Sequence, residues 1–203
     1  MPLAGRPLVE WSIAAMRAAP GVLSIVVACP PGHVHELAGH DLGVVEGGTT
    51  RARSVANALA AVGTELVAIH DAARPLITPE LVEGVVATLV ADSEADGAIA
   101  ATPVTDTIKQ GAGQGDPAAR YVAETIDRGR LWAAQTPQVF RVESLRRALE
   151  GDPAQVEAAT DEAMLVEAIG GRVLIHPAPA ENLKVTTPLD LRVAELLLAE
   201  RDG

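Results

Sequence analysis

Asp71 and Arg74 are the residues of this chain whose type and spacing most directly offer chemistry. They follow the apolar run Leu66-Val67-Ala68-Ile69, which reads as a buried strand, and the loop closes on Pro75 ahead of a helix. In an open α/β sheet, ligands bind just beyond the carboxyl ends of the strands. A carboxylate there can hold a metal or a hydroxyl, and an Arg can grip phosphate with its planar fork. The pair points to an anionic, polyhydroxylated substrate accompanied by a divalent cation. A helix cap at Asp71 with a surface Arg74 accounts for the same residues equally well.

Other candidates lie at similar junctions. Gly47-Gly48-Thr49-Thr50-Arg51-Ala52-Arg53-Ser54 joins a strand to a helix. Paired glycines let backbone N–H groups approach a ligand, and a helix N-terminus adds partial positive charge. Ser54, about one turn in, can donate to a base, ribose or phosphate; the plain alternative is a tight turn before an exposed, Arg-bearing helix. Asp127-Arg128-Gly129-Arg130 precedes Gln135-Thr136-Pro137-Gln138, basic residues beside a turn that suit phosphate as well as surface salt bridges. Thr160-Asp161-Glu162 reads as a helix cap with acids in the first turn. Asn182-Leu183-Lys184-Val185-Thr186 sets a Lys in a short strand, pointing outward or into a site. The five histidines do not cluster at metal-ligand spacing, and no nucleophile elbow or Cys–His pair is evident.

The elements that must position these residues alternate at short intervals. Helical patterning covers Pro7 to Ala19, Thr50 to Val62 and Pro79 to Val90. Strands are expected at Leu23 to Cys29, Val44-Val45, Leu66 to Ile69 and Gly97 to Thr102. That order predicts an α/β fold with a mostly parallel sheet. The pattern breaks between Thr107 and Thr125, where Ile108-Lys109 and Tyr121-Val122 flank a Gly-rich tip at Gly111 to Gly115. These segments are expected to pair as a protruding β-arm that packs on a second subunit. A turn at Gln135 to Gln138, helices near Val142 to Leu149 and from Thr160, strands at Val173 to Ile175 and Leu183 to Val185, and a helix from Pro188 complete the reading.

The 203 residues suit one domain, 48% hydrophobic but with only Trp11, Tyr121, Trp132 and Phe140 as aromatics. An aliphatic core of this kind fits helices packed on a sheet. A formal charge of -11 argues against general nucleic-acid binding. The single Cys29 leaves no intramolecular disulfide, no apolar run approaches a bilayer span, and no signal-peptide pattern is present, so a cytoplasmic location is expected.

Taken in order, His70-Asp71-Ala72-Ala73-Arg74-Pro75, Pro103-Val104-x-Asp106-Thr107, Asp127-Arg128 through Thr136-Pro137-Gln138, Thr160-Asp161-Glu162-Ala163 and Asn182-Leu183-Lys184-Val185-Thr186 resemble the 2-C-methyl-D-erythritol 4-phosphate cytidylyltransferase family. The likeness covers essentially the whole chain. It implies a Rossmann-like nucleotidyltransferase sheet and cytidylyl transfer from CTP to methylerythritol phosphate, with magnesium bound and pyrophosphate leaving. Carried over by motif, Gly48, Thr49, Ser54 and Asp71 lie on the nucleotide side, with Thr49 standing where the family often carries an acid. Arg74, Thr136, Thr160 and Lys184 line the alcohol-phosphate pocket together with Asp71, and Lys184 and Asp71 are the implied catalytic pair. Thr107 and Arg128 belong to an arm that reaches the neighbour's substrate phosphate in a homodimer.

One departure stands out. Family members open with a strand and a Pro-Ala-Ala-Gly-x-Gly-x-Arg loop followed by Pro-Lys, whereas Met1-Pro2-Leu3-Ala4-Gly5-Arg6-Pro7-Leu8 matches what comes after that Lys. The expectation is an N-terminally incomplete domain, with Leu23 to Cys29 and Leu66 to Ile69 lacking a central partner, that is poorly soluble or partly unfolded and inactive with CTP and methylerythritol phosphate. A cytidylyltransferase for another polyol phosphate, such as ribitol 5-phosphate, and a non-catalytic nucleotide-binding or dimerisation remnant are the competing readings.

Overall fold

The computed structural model describes residues 2–37, 42–112 and 121–201. The chain enters through a two-residue hairpin, β1 (Pro2–Leu3) with β2 (Arg6–Pro7), whose tight turn puts Ala4 and Gly5 at φ 47° and 77°. Both signs are positive, as the twist of short hairpins prefers, and Gly5 adopts its value without strain. Trp11 donates its indole N–H to the Leu3 carbonyl at 3.1 Å, fixing the hairpin to the helix that follows.

That helix, α1 (Leu8–Ala18), leads into β3 (Val26–Cys29), which pairs in parallel with β4 (Gly43–Glu46). α2 (Arg51–Leu59) begins where Thr50 accepts a hydrogen bond from the Arg53 N–H. β5 (Leu66–Ile69) then feeds α3 (Pro79–Val90), capped by Thr78 and opened by Pro79, a residue suited to a first turn. β6 (Gly97–Pro103), β9 (Trp132–Arg141) and β10 (Val173–Pro177) complete a four-stranded sheet ordered β10-β6-β9-β5. Between β6 and β9 the chain makes an arm of β7 (Ile108–Gly111) and β8 (Val122–Ile126), antiparallel as expected; most of its tip, from residue 113, lies outside the described residues. α4 (Val142–Leu149), α5 (Pro153–Ala158), α6 (Glu162–Ala168) and α7 (Pro188–Arg201) follow β9.

The core lies in layers on the two faces of the sheet. Phe140, Leu145 and Val166 pack with α2 and α4 to α6 on one face. Leu81, Val85 and Leu89 of α3 press on Ala98, Ala100 and Val139 on the other. Alternation along β5 divides its side chains the same way, Val67 and Ile69 to the first layer, Leu66 and Ala68 to the second.

Three local expectations are corrected. Gln135 to Gln138 is no turn but the middle of the ten-residue β9. Pro137 lacks an N–H, and the sheet absorbs this with a register shift between Ile99 and Ala101 of β6, across from residues 135–137. Because β9 returns directly from the arm it runs antiparallel to β5 and β6, so this α/β sheet is mixed, with parallel pairing kept at β10–β6. Leu183 to Val185 is not a strand: the Val185 N–H goes to the Ala73 carbonyl at 2.7 Å, tying the segment to the loop after β5 instead of to a ladder. The expected strand from Leu23 begins only at Val26.

β3 and β4 form a sheet of their own, separate from the four-stranded one. β3 pairs only with β4 and β5 only with β9 among the described residues.

Candidate active site

The bulge in β9 brings Thr136 against the end of β5. Its hydroxyl accepts from the Asp71 N–H at 3.1 Å and lies 3.0 Å from His70 Nδ1, while His70 Nε2 is 3.1 Å from the Arg74 carbonyl. One set of protons satisfies all three contacts: Nε2–H donates to Arg74, and the Thr136 hydroxyl donates to Nδ1. The loop from 70 to 74 is thus pinned by a neutral imidazole. Burial pushes the His70 pKa down to about 4.

That depression has a pH consequence. A histidine that must stay neutral in the folded state contributes stability above its ordinary value of 6.5. The contribution drains away as the pH falls towards 4. About 2.5 pH units at ~1.4 kcal/mol each is roughly 3 kcal/mol. Melting temperature measured from pH 7.5 to 4.5 should therefore fall across this window, and His70→Gln should flatten the slope. An unchanged slope in the variant would show that another group titrates there.

Asp71 is the hub of the site. Its Oδ1 lies 3.2 Å from Arg51 at the first position of α2, and its Oδ2 2.8 Å from Lys184 Nζ. Burial pushes the Asp71 carboxyl up, but the Lys184 and Arg51 cations outweigh it and hold the group below its ordinary value. Arg51 also pairs with Glu162, a carboxylate only 1% exposed at the start of α6. Burial raises the Glu162 pKa against the pull of Arg51. The guanidinium itself is raised, burial being outweighed by its two carboxylates.

Lys184 is positioned by its neighbours. Buried Asn182 donates to the Gln135 side chain at 2.7 Å and to the Thr136 carbonyl at 2.9 Å, and its own carbonyl accepts from Arg74 at 2.9 Å. Asp190 in the first turn of α7 accepts from the N–H groups of Thr186 and Thr187, which together with the Thr186 hydroxyl lower its pKa to about 2. Arg74 is the one cation of this group with no carboxylate at ion-pair distance among the described residues. Its Nε is buried without a partner.

On the other side of Asp71, the Gly48 N–H donates to Ser54 Oγ at 3.0 Å, and Ser54 donates to the Thr50 carbonyl. A Cβ on Gly48 would stand 2.3 Å from Arg53 Cβ, so this turn requires glycine. Ser54, Arg51 and Asp71 line one cavity of about 310 Å³. Thr49 and Thr160 are exposed, each one residue before a helix cap, Thr50 and Asp161 respectively.

Thus Asp71, Lys184, Arg74 and Thr136 converge, with Gly48 and Ser54 beside them. Thr107 and Arg128 are exposed at the arm, where Arg128 donates to the Thr105 carbonyl. Among the described residues neither bonds to the Asp71 cluster. Arg51 and Glu162 are the site residues that sequence reasoning missed. The available signal was an Arg directly after a capping Thr, together with a Glu in the first turn behind Thr160-Asp161.

The sequence and the fold have close counterparts. Residues 1–200 match the family model described as IspD, 2-C-methyl-D-erythritol 4-phosphate cytidylyltransferase. An enzyme of that name from Gloeobacter violaceus is 42% identical, over 98% of this chain and 86% of its own length. The one from Azoarcus sp. is 39% identical, over 100% and 86%. The crystal structure of the Thermus thermophilus enzyme superposes with a TM-score of 0.83 at 34% identity, covering 98% of this chain and 92% of that one. With sequence and fold in agreement, this chain belongs to the 2-C-methyl-D-erythritol 4-phosphate cytidylyltransferase family.

Proposed function

We propose that this chain transfers the cytidylyl group of CTP to 2-C-methyl-D-erythritol 4-phosphate, a step of non-mevalonate isoprenoid synthesis. A phosphate oxygen of the alcohol attacks the α-phosphorus, the bond to the bridging oxygen of the β-phosphate breaks, and pyrophosphate leaves with that electron pair. The observation that carries this reading is the Asp71 carboxylate at the carboxyl end of β5, held between Arg51 and Lys184. Such transfer depends on positioning and on cations placed where phosphate charge must be stabilised.

In this reading Gly48, Thr49 and Ser54 face the nucleotide, while Arg74, Thr160 and Lys184 face the alcohol phosphate. Thr136 acts as a positioning residue by holding the Asp71 loop. The half-buried Arg74, with its unspent Nε, supports a phosphate nearby. A magnesium ion carried in on the triphosphate fits these residues. Mg²⁺ uses one or two carboxylates plus substrate phosphates, and Asp71 is kept ionised. Among the described residues no group of three or more His, Cys, Asp or Glu side chains forms a protein cage. Asp71 would hold the ion, which when bound neutralises phosphate charge.

The proposal uses two subunits, with Thr107 and Arg128 on the arm of one approaching the substrate phosphate bound by the other. Exposed Tyr121 and Val122 at the arm support a packing role. It also places the reaction in the cytoplasm, in keeping with a single cysteine; no helix of the described residues is long and apolar enough to cross a membrane.

The test is pyrophosphate release with CTP, magnesium and either methylerythritol phosphate or ribitol 5-phosphate. Release dependent on methylerythritol phosphate is the result this reading expects, and it would overturn the inactivity expected from the missing Gly-rich loop. Preference for ribitol 5-phosphate would reassign the substrate, and neither turnover nor calorimetric CTP binding would overturn the reading. Arg128→Ala should raise KM for the alcohol phosphate roughly tenfold or more, the worth of a charge-assisted contact of about 1.5–3 kcal/mol, and leave KM for CTP nearly unchanged.

A further inference from the structure

We infer that Asn182 is a positioning residue for the alcohol phosphate: its buried side chain holds in place the carbonyl that fixes the Arg74 guanidinium. The inference rests on the reading of Arg74 as part of the alcohol-phosphate pocket. Arg74 stands apart from the other two cations of the site. Arg51 lies between the carboxylates of Asp71 and Glu162, and Lys184 is paired with Asp71. Arg74 Nη1 instead donates to the neutral carbonyl of Asn182 at 2.9 Å. A carbonyl fixes a guanidinium without cancelling its charge, so the full positive charge stays available to a phosphate. Where that charge sits is decided by where the Asn182 backbone sits.

The segment around Asn182 belongs to no strand, so no ladder places it. The Asn182 side chain takes over that task. Its Nδ2 donates to Gln135 Oε1 at 2.7 Å and to the Thr136 carbonyl at 2.9 Å. Both acceptors belong to β9 at its bulge. There the register with β6 skips from Ala134 to Gln138, which leaves the Thr136 carbonyl outside the paired positions. Asn182, Gln135 and Thr136 are all buried. Among side chains of this length only an amide supplies both donors: a carboxylate would set oxygen against oxygen, and a hydroxyl has a single hydrogen.

Two further observations separate this role from plain packing. Oδ1 of the same amide is buried without a partner, a penalty that an apolar side chain would not carry. What the amide adds in return is a fixed backbone at the Arg74 guanidinium. The second observation is that Lys184 has anchors of its own. The Val185 N–H donates to the Ala73 carbonyl at 2.7 Å, and Thr186 and Thr187 donate to Asp190. The action of Asn182 therefore falls on Arg74. The main chain of Arg74 is held separately, its carbonyl lying 3.1 Å from His70 Nε2. Its two ends are thus fixed by different parts of the chain, and the guanidinium end depends on Asn182.

The test uses the 203-residue chain and Asn182→Leu, which keeps the branched shape of the side chain and removes both donors. With isotope-labelled arginine, exchange of the Arg74 Nε–H with water is followed by NMR, the signal being identified by its loss in Arg74→Met. Exchange should quicken roughly tenfold or more in Asn182→Leu. Calorimetry should show methylerythritol phosphate binding weakened by a similar factor and CTP binding changed less than twofold. Gln135→Leu removes one of the two acceptors and should shift exchange and binding in the same direction by a smaller factor, which keeps the test open if Asn182→Leu does not fold. Unchanged exchange, or equal weakening of the two ligands, would overturn the proposal. A parent chain that binds no methylerythritol phosphate would instead overturn the cytidylyltransferase reading, and the exchange measurement alone would then judge the hold on Arg74.

Discussion

Asp71→Asn lowers kcat/KM for CTP-dependent pyrophosphate release by about 10²–10³, the loss typical when one preorganised electrostatic group is removed from a site of charge development. The amide keeps the size of the side chain but carries no charge between Arg51 and Lys184, which now lie 3.2 and 2.8 Å from its carboxylate oxygens. The backbone N–H to Thr136 and the His70 contacts do not involve that carboxylate, so the loop keeps its shape. The measurement is steady-state turnover beside a thermal melt. A loss below tenfold in a protein that melts normally would remove Asp71 from the reaction.

Arg51→Met gives the largest expected loss of stability, about 3–5 kcal/mol, because it leaves Glu162 uncompensated at 1% exposure. The methionine preserves most of the packing of the Arg stem, so the deficit reports the charge. Its pH dependence follows from the sign of the shift. An unpaired buried carboxyl has a folded-state pKa above its unfolded one, so the deficit is greatest at high pH and narrows as acid protonates Glu162. Glu162→Gln in the same background should recover much of the loss in urea denaturation. If Arg51→Met alone costs under 1 kcal/mol, the pair does not hold α2 to α6.

Much of this site was legible because strand patterning and loop chemistry agree locally. Four apolar residues, a polar break and a proline placed Asp71 and Arg74 at the mouth of a sheet. The Asp161 cap of α6 was readable in the same way, since its side chain accepts from an N–H only three residues on. What escaped depends on closure over long separations. Arg51 and Glu162 are 111 positions apart, and neither residue's surroundings foretell a buried pair. β9 was hidden because Thr136-Pro137 has turn chemistry, and only a bulge facing β6 lets it remain in a strand. Lys184 was identified but given the wrong backbone, because an apolar-flanked Lys in a short segment looks like a strand whether its N–H groups meet a ladder or, as here, the Ala73 carbonyl.

The ion pairs around Asp71 also set a condition on what can enter. Arg51 and Lys184 are already paired with a carboxylate, so on the proposed reading an incoming phosphate would compete with Asp71 for them. A singly charged anion offers little more than the carboxylate it would displace and gains almost nothing. A triphosphate presents several oxygens at once and can leave Asp71 free for a counter-ion of its own. On the proposed reading the resting ion pairs would act as a filter on valence, favouring polyphosphates over weak anions.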